Sequence, residues 1–137
     1  MHTMRFEDLV AGSPLPTLRL TVSPAANERY WRAAGVAHAA LAAGALYPPI
    51  AANLTVLCFG QACTEPVIQT RQRLRCHRRA AAGSELYTIG RITARYEKRG
   101  RRYVDVEAVV STVDGTDDPL WTSEVSFTPA ATLDARP

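Results

Sequence analysis

Lysine is almost missing from this sequence: of sixteen basic residues among 137, only Lys98 is not arginine. Acidic residues are lacking over one long stretch, with none between Glu28 and Glu65. Cysteines number three, an odd count, and no two have the Cys-x-x-Cys spacing. Cys76 and His77 are adjacent, so on a strand they point to opposite faces, and no zinc ligand set emerges. Cys58 and Cys63, five apart on an apolar segment, read as reduced core thiols, and no metal or cofactor is expected. Long apolar runs are lacking too. The longest uncharged stretch, 33–64, is broken by His38, Gly44, Pro48, Pro49, Asn53 and Gly60, which argues against a membrane span. Glu7 and Asp8 stand where a signal peptide needs an apolar run, so a cytoplasmic protein is expected.

With 47% apolar and 21% charged residues, the chain suits one domain with one core, expected over residues 1–129 and followed by a polar tail, 130–137. A domain this small leaves much of its surface exposed, which favours a partner. The net charge of +3 is mild, short of what a nucleic-acid-binding protein usually carries.

Periodicity divides the chain in two. Leu18, Leu20 and Val22 alternate with Thr17, Arg19 and Thr21, which predicts a short strand. Ser23-Pro24 then reads as the cap and first residue of a helix running to Ala34, with Gly35 as its left-handed stop. Residues 36–47 are alanine-rich and suit a second short helix. Pro48-Pro49 opens another, from Ile50 to about Cys63, apolar on nearly every side and so expected to be buried. After Pro66 the period becomes two, and strands are expected at 67–77, 85–96, 102–113 and 120–128, with a charged hairpin at 97–101. In the first of these, Ile68, Leu74 and Cys76 are expected on one face and Gln69, Arg71, Arg73 and Arg75 on the other, with Thr70 and Gln72 interrupting. A helix apolar all round needs cover on several sides, which a single curved antiparallel sheet supplies; the expected class is α+β, a hot dog architecture.

Several segments, taken in order, resemble the MaoC-like dehydratase and hydratase family. They are the opening Phe6-Glu7-Asp8-Leu9, the helix Tyr30-Trp31-Arg32-Ala33-Ala34-Gly35, the helix start Pro49-Ile50-Ala51, the turn Gly83-Ser84-Glu85-Leu86 and the strand pattern Gly100 to Glu107. The resemblance spans about residues 6–129. It implies a thioester substrate, carried by coenzyme A or an acyl carrier protein, and a homodimer. It also implies proton transfer by an Asp and a His in a Gly-Asp-x-Asn-Pro-x-His segment, because dehydration of a 3-hydroxyacyl thioester needs a base for the alpha proton and an acid for the leaving hydroxyl. Gly35 fits that segment, but Val36 stands at the Asp position, His38 at the Asn position and Leu41 at the His position. Absence of the usual catalytic pair adds the alternative of a heterodimer with a second hot dog subunit, while hydropathy and charge lead to the expectation of no membrane or nucleic-acid partner.

The candidates that remain each carry two readings. His38 is a lone general base in a repurposed pocket, cyclase-like or dehydratase-like, or an imidazole satisfied on an alanine-rich segment. Tyr47 is an acid or substrate contact, or packing at a helix start. Ala52 and Asn53 fall on the family's oxyanion stretch, Pro-x-x-His-Gly-Met, where backbone N–H groups at the helix start meet the thioester carbonyl. Arg71, Arg73 and Arg75 suit a phosphate of coenzyme A or an acidic carrier, or form a solvated face. A thioester-binding subunit without catalysis and an acyl thioesterase are the competing functions.

Overall fold

Ser23 shows how directly local sequence sets the first helix. Its backbone is extended, at φ −65° and ψ 153°, and its Oγ accepts the Ala26 N–H at 3.1 Å. Pro24 follows at the position where a missing N–H costs nothing. α1 spans Pro24–Ala34 and stops at Gly35, whose φ of 69° puts its N–H on the Trp31 and Arg32 carbonyls. In this computed structural model, residues 3–35 and 43–130 are described. The short helix expected in 36–47 therefore lies mostly outside the described residues, and of that stretch residues 43–47 form a turn and an extended segment. The polar tail lies outside them as well, apart from Ala130.

A 3-10 turn, Phe6–Asp8, precedes β1 (Leu18–Thr21) and α1. After α1 come α2 (Ile50–Gly60), β2 (Val67–Cys76), β3 (Glu85–Lys98), β4 (Arg101–Ser111) and β5 (Trp121–Pro129). The five strands form one antiparallel sheet in the order β1-β3-β4-β5-β2, with α2 packed on one face. β4 has the alternation expected of it: Val104, Val106, Ala108 and Val110 are buried toward α2.

One face assignment needs correction. A bulge between Gln69 and Arg71 inserts Thr70 into β2, so the two ends of the strand alternate out of step. The register puts Gln69 opposite Phe127, on the α2 side with Leu74 and Cys76, and Ile68 opposite Thr128, on the outer face with the arginines. Arg71, Arg73 and Arg75 keep to the outer face, opposite Ser126, Glu124 and Thr122.

α2 also differs from expectation. It ends at Gly60 and buries Ile50, Ala51, Leu54, Thr55, Cys58 and Phe59, yet Asn53, Leu57 and Gly60 form an exposed stripe, Leu57 at 53%. One sheet covers one side of a helix, so apolarity all round does not bring burial all round. Where helix and sheet meet, the approach is close: a Cβ on Gly90 would lie 3.1 Å from Leu15 Cδ1 and 3.3 Å from Cys58 Sγ. Among the described residues no helix is long and apolar enough to cross a membrane.

All three cysteines are free, Cys58 and Cys63 buried and Cys76 exposed. Burial pushes the Cys58 thiol up to about 11. A raised thiol pKa means that the folded state holds its proton more tightly than the unfolded chain. That stability is complete below the unfolded value, about 8.5, and is lost as pH rises through the folded one. Relative to Cys58→Ala, the wild type is expected to lose about 2–3 kcal/mol between pH 8 and pH 12, read from urea midpoints. A gap between the two proteins that does not change with pH would contradict this.

Candidate active site at the start of α2

Asn27 and Trp31 lie one turn apart on the buried side of α1, and together they hold the segment leading into α2. The Asn27 side chain donates to the Ala45 carbonyl at 2.9 Å and accepts the Tyr47 N–H at 2.9 Å. Trp31 Nε1 donates to the same carbonyl at 2.8 Å. On the other side, the Leu46 N–H donates to the Ala80 carbonyl at 2.8 Å. Ala45–Tyr47 is thus gripped from two directions. Pro48 and Pro49, which lack N–H groups, then turn the chain into the helix.

Asn27 is 1% exposed, so truncating it strands a buried amide N–H as well as removing two bonds. Asn27→Ala is expected to cost about 2–4 kcal/mol, measurable by urea unfolding. A cost within about 0.5 kcal/mol, typical of a surface substitution, would refute the clamp.

Beside the clamp lies a cavity of about 180 Å³ walled by Trp31, Leu46, Pro48, Ala80 and Trp121, with Cys76 and Arg79 also on its lining. Trp121 is 1% exposed, and its Nε1 has no hydrogen-bond partner among the described residues. A mainly apolar cavity with Arg79 and Cys76 on its lining suits a ligand with an apolar body and an acceptor oxygen. Tyr47 is packed close by, its ring 6.1 Å from Tyr30 in a stacked arrangement and 4.9 Å from Trp31 edge-on.

The first turn of α2 contains no acidic residue, so nothing there competes with an incoming oxyanion for its positive end. Ala52 is buried and its N–H donates to the Pro49 carbonyl at 3.1 Å, while Asn53 is exposed in the same turn. Tyr47, Ala52 and Asn53 therefore share one end of α2. His38 lies outside the described residues.

Arg71, Arg73 and Arg75 are on the far side of the sheet from this site. Across the outer face the register aligns Arg91, Glu107, Glu124 and Arg73 in a row, and Arg73 approaches Glu124 to 3.8 Å. Anions held by these arginines and a carbonyl held at α2 belong to separate surfaces of one copy. Asn27, Trp31 and Trp121 were not expected in the site. The one available sign was Asn27 itself, a poor helix former placed four residues before a tryptophan.

No sequence-family model matches the chain, and no curated protein does. Solved structures match it well. One chain of the HadBC (3R-hydroxyacyl-ACP dehydratase) complex from Mycobacterium tuberculosis superposes with a TM-score of 0.70 at 19% identity, covering 87% of this chain and 96% of that one. The (R)-hydratase from A. caviae involved in PHA biosynthesis gives 0.71 at 16% identity, over 88% and 97%. This chain has the hot dog fold. A MaoC-like dehydratase from Rhodospirillum rubrum shares it, with a TM-score of 0.66 at 16% identity, over 92% of this chain and 96% of that one. The fold places the clamp, the cavity and the start of α2 at one end of the hot dog helix.

Proposed function

We propose that the chain acts on an acyl or polyketide thioester, carried by coenzyme A or an acyl carrier protein, as a dehydratase, hydratase or related lyase in the cytoplasm. The observation that carries this reading is the cavity near Tyr47, mainly apolar with Cys76 and Arg79 on its lining, at the start of a helix whose first turn has no carboxylate. In this reading the acyl chain enters the cavity, the thioester oxygen lies beside Ala52 and Asn53 at the positive end of α2, drawn by the helix dipole rather than by the Ala52 N–H already bonded to Pro49, and His38 and Tyr47 move the proton. Three free cysteines agree with a reducing compartment.

The working unit is a dimer. Among the described residues β2 pairs only with β5, so its other edge offers ten residues of backbone to a second sheet. One observation favours a second reading, in which this chain binds the thioester and a partner hot dog subunit supplies the acid and base: no Asp, Glu or His lines the cavity among the described residues. The HadBC protein is itself a complex.

The test is hydration of a trans-2-enoyl thioester, followed by loss of its conjugated absorbance, on protein whose mass in solution is measured in parallel. A dimer active alone supports the lyase reading. Thioester binding without turnover supports the subunit reading, and neither binding nor turnover with any thioester overturns both.

A further inference from the structure

The hairpin between β3 and β4 turns at Arg99-Gly100, with φ of 53° and 77°. Positive φ at both central residues is a type I′ turn, whose first position normally takes Asn, Asp or Gly because an ordinary side chain is crowded there. Arginine is a costly choice at that position, and its surroundings suggest what it is for. Thr70, Arg71, Tyr96, Lys98, Arg99 and Tyr103 line a cleft of about 290 Å³ on the outer face of the sheet. The Tyr96 and Tyr103 rings stack at 5.3 Å and 15°, and the Tyr96 hydroxyl is held by donating to Asp105 Oδ1 at 3.0 Å. Asp105 also accepts the Ser126 hydroxyl at 2.6 Å, so its charge is occupied within the wall. Among the described residues, Arg71, Lys98 and Arg99 make no ion pair.

We propose that this cleft binds a phosphorylated nucleotide, with the base stacked on the tyrosine pair and the phosphates paired with Arg71, Lys98 and Arg99. The outer face of a stacked tyrosine pair takes a nucleobase as the next ring of the stack, and guanidinium groups pair with phosphate through two parallel N–H bonds. The cleft is across the sheet from α2 and at the Phe59 end of the core rather than the Ile50 end, so within one copy it is separate from the α2 site, and only its coenzyme A source rests on the thioester reading. The same chemistry has two sources, the 3′,5′-bisphosphate end of coenzyme A and a free nucleoside 5′-diphosphate.

Calorimetric titration of the full chain with adenosine 3′,5′-bisphosphate, ADP and inorganic phosphate tests it. One nucleotide is expected to bind per chain, about tenfold or more tighter than phosphate. Preference for the bisphosphate assigns the coenzyme A source, and preference for ADP the free nucleotide. Tyr96→Ala and Arg71→Gln should each weaken binding about tenfold. Arg99→Asn should weaken it while raising the melting temperature by about 2–5 °C, because asparagine suits the turn. That opposite movement separates lost binding from lost folding. Absence of saturable nucleotide binding, or unchanged affinity in the Arg71 and Arg99 variants, overturns the proposal. An oligonucleotide bound more tightly than any mononucleotide overturns it in favour of single-stranded nucleic acid.

Discussion

Replacing His38 with alanine is expected to slow enoyl-thioester hydration by about 10²- to 10⁴-fold, the usual contribution of a positioned acid or base, with little change in KM. The sequence leaves few other candidates. Between Glu28 and Glu65 there is no carboxylate, and His38 is the only imidazole in that stretch. His77, the nearest alternative, is exposed, its Nε2 lying 3.1 Å from Thr122 Oγ1. His77→Ala is therefore the matched control and should retain full turnover. Tyr47→Phe keeps the ring that packs on Trp31 and removes only the hydroxyl, so a fall in kcat without loss of stability would mark it as the acid. Full turnover in His38→Ala would remove His38 from the mechanism.

The largest effect on stability is expected at Phe59. Its ring stacks on Phe127 at 4.3 Å and 10°, both residues are 1% exposed, and the pair joins the last turn of α2 to the inner face of β5. Phe59→Ala removes a large buried volume whose neighbours, Ile92, Val104 and Val125, are fixed in sheet positions and cannot collapse into the gap. A cost of about 3–5 kcal/mol follows, near the upper end for core truncations. For a domain of this size it lowers the melting temperature by about 10–20 °C. Phe59→Leu fills most of the space and should recover more than half of the loss. A Phe59→Ala protein that melts within about 2 °C of wild type would mean that α2 is not anchored there.

Much of this architecture was legible in the chain. Ser23, Pro24 and Gly35 mark both ends of α1, and the alternation from Val104 to Val110 shows the buried face of β4, because both signals act within a few residues. What the sequence concealed depends on contacts between distant segments. The bulge at Thr70 moves Ile68 to the outer face, and a period-two pattern cannot show where one residue is inserted. Leu57 looks like core until the sheet is seen to cover one side of α2 only. Asn27 acts through Ala45 and Tyr47, eighteen and twenty residues away, so nothing local announces the clamp. The arginines of β2 could be assigned a common face, but not the side of the sheet opposite α2.

In the proposed function a thioester is bound at the start of α2. A crystal structure of the protein with a non-hydrolysable acyl-thioester analogue tests it most directly. The acyl chain is expected in the cavity against Trp121, the carbonyl oxygen beside the first turn of α2, and the alpha carbon near His38 or Tyr47. An analogue bound on the outer face of the sheet, with the α2 cavity unfilled, would contradict it.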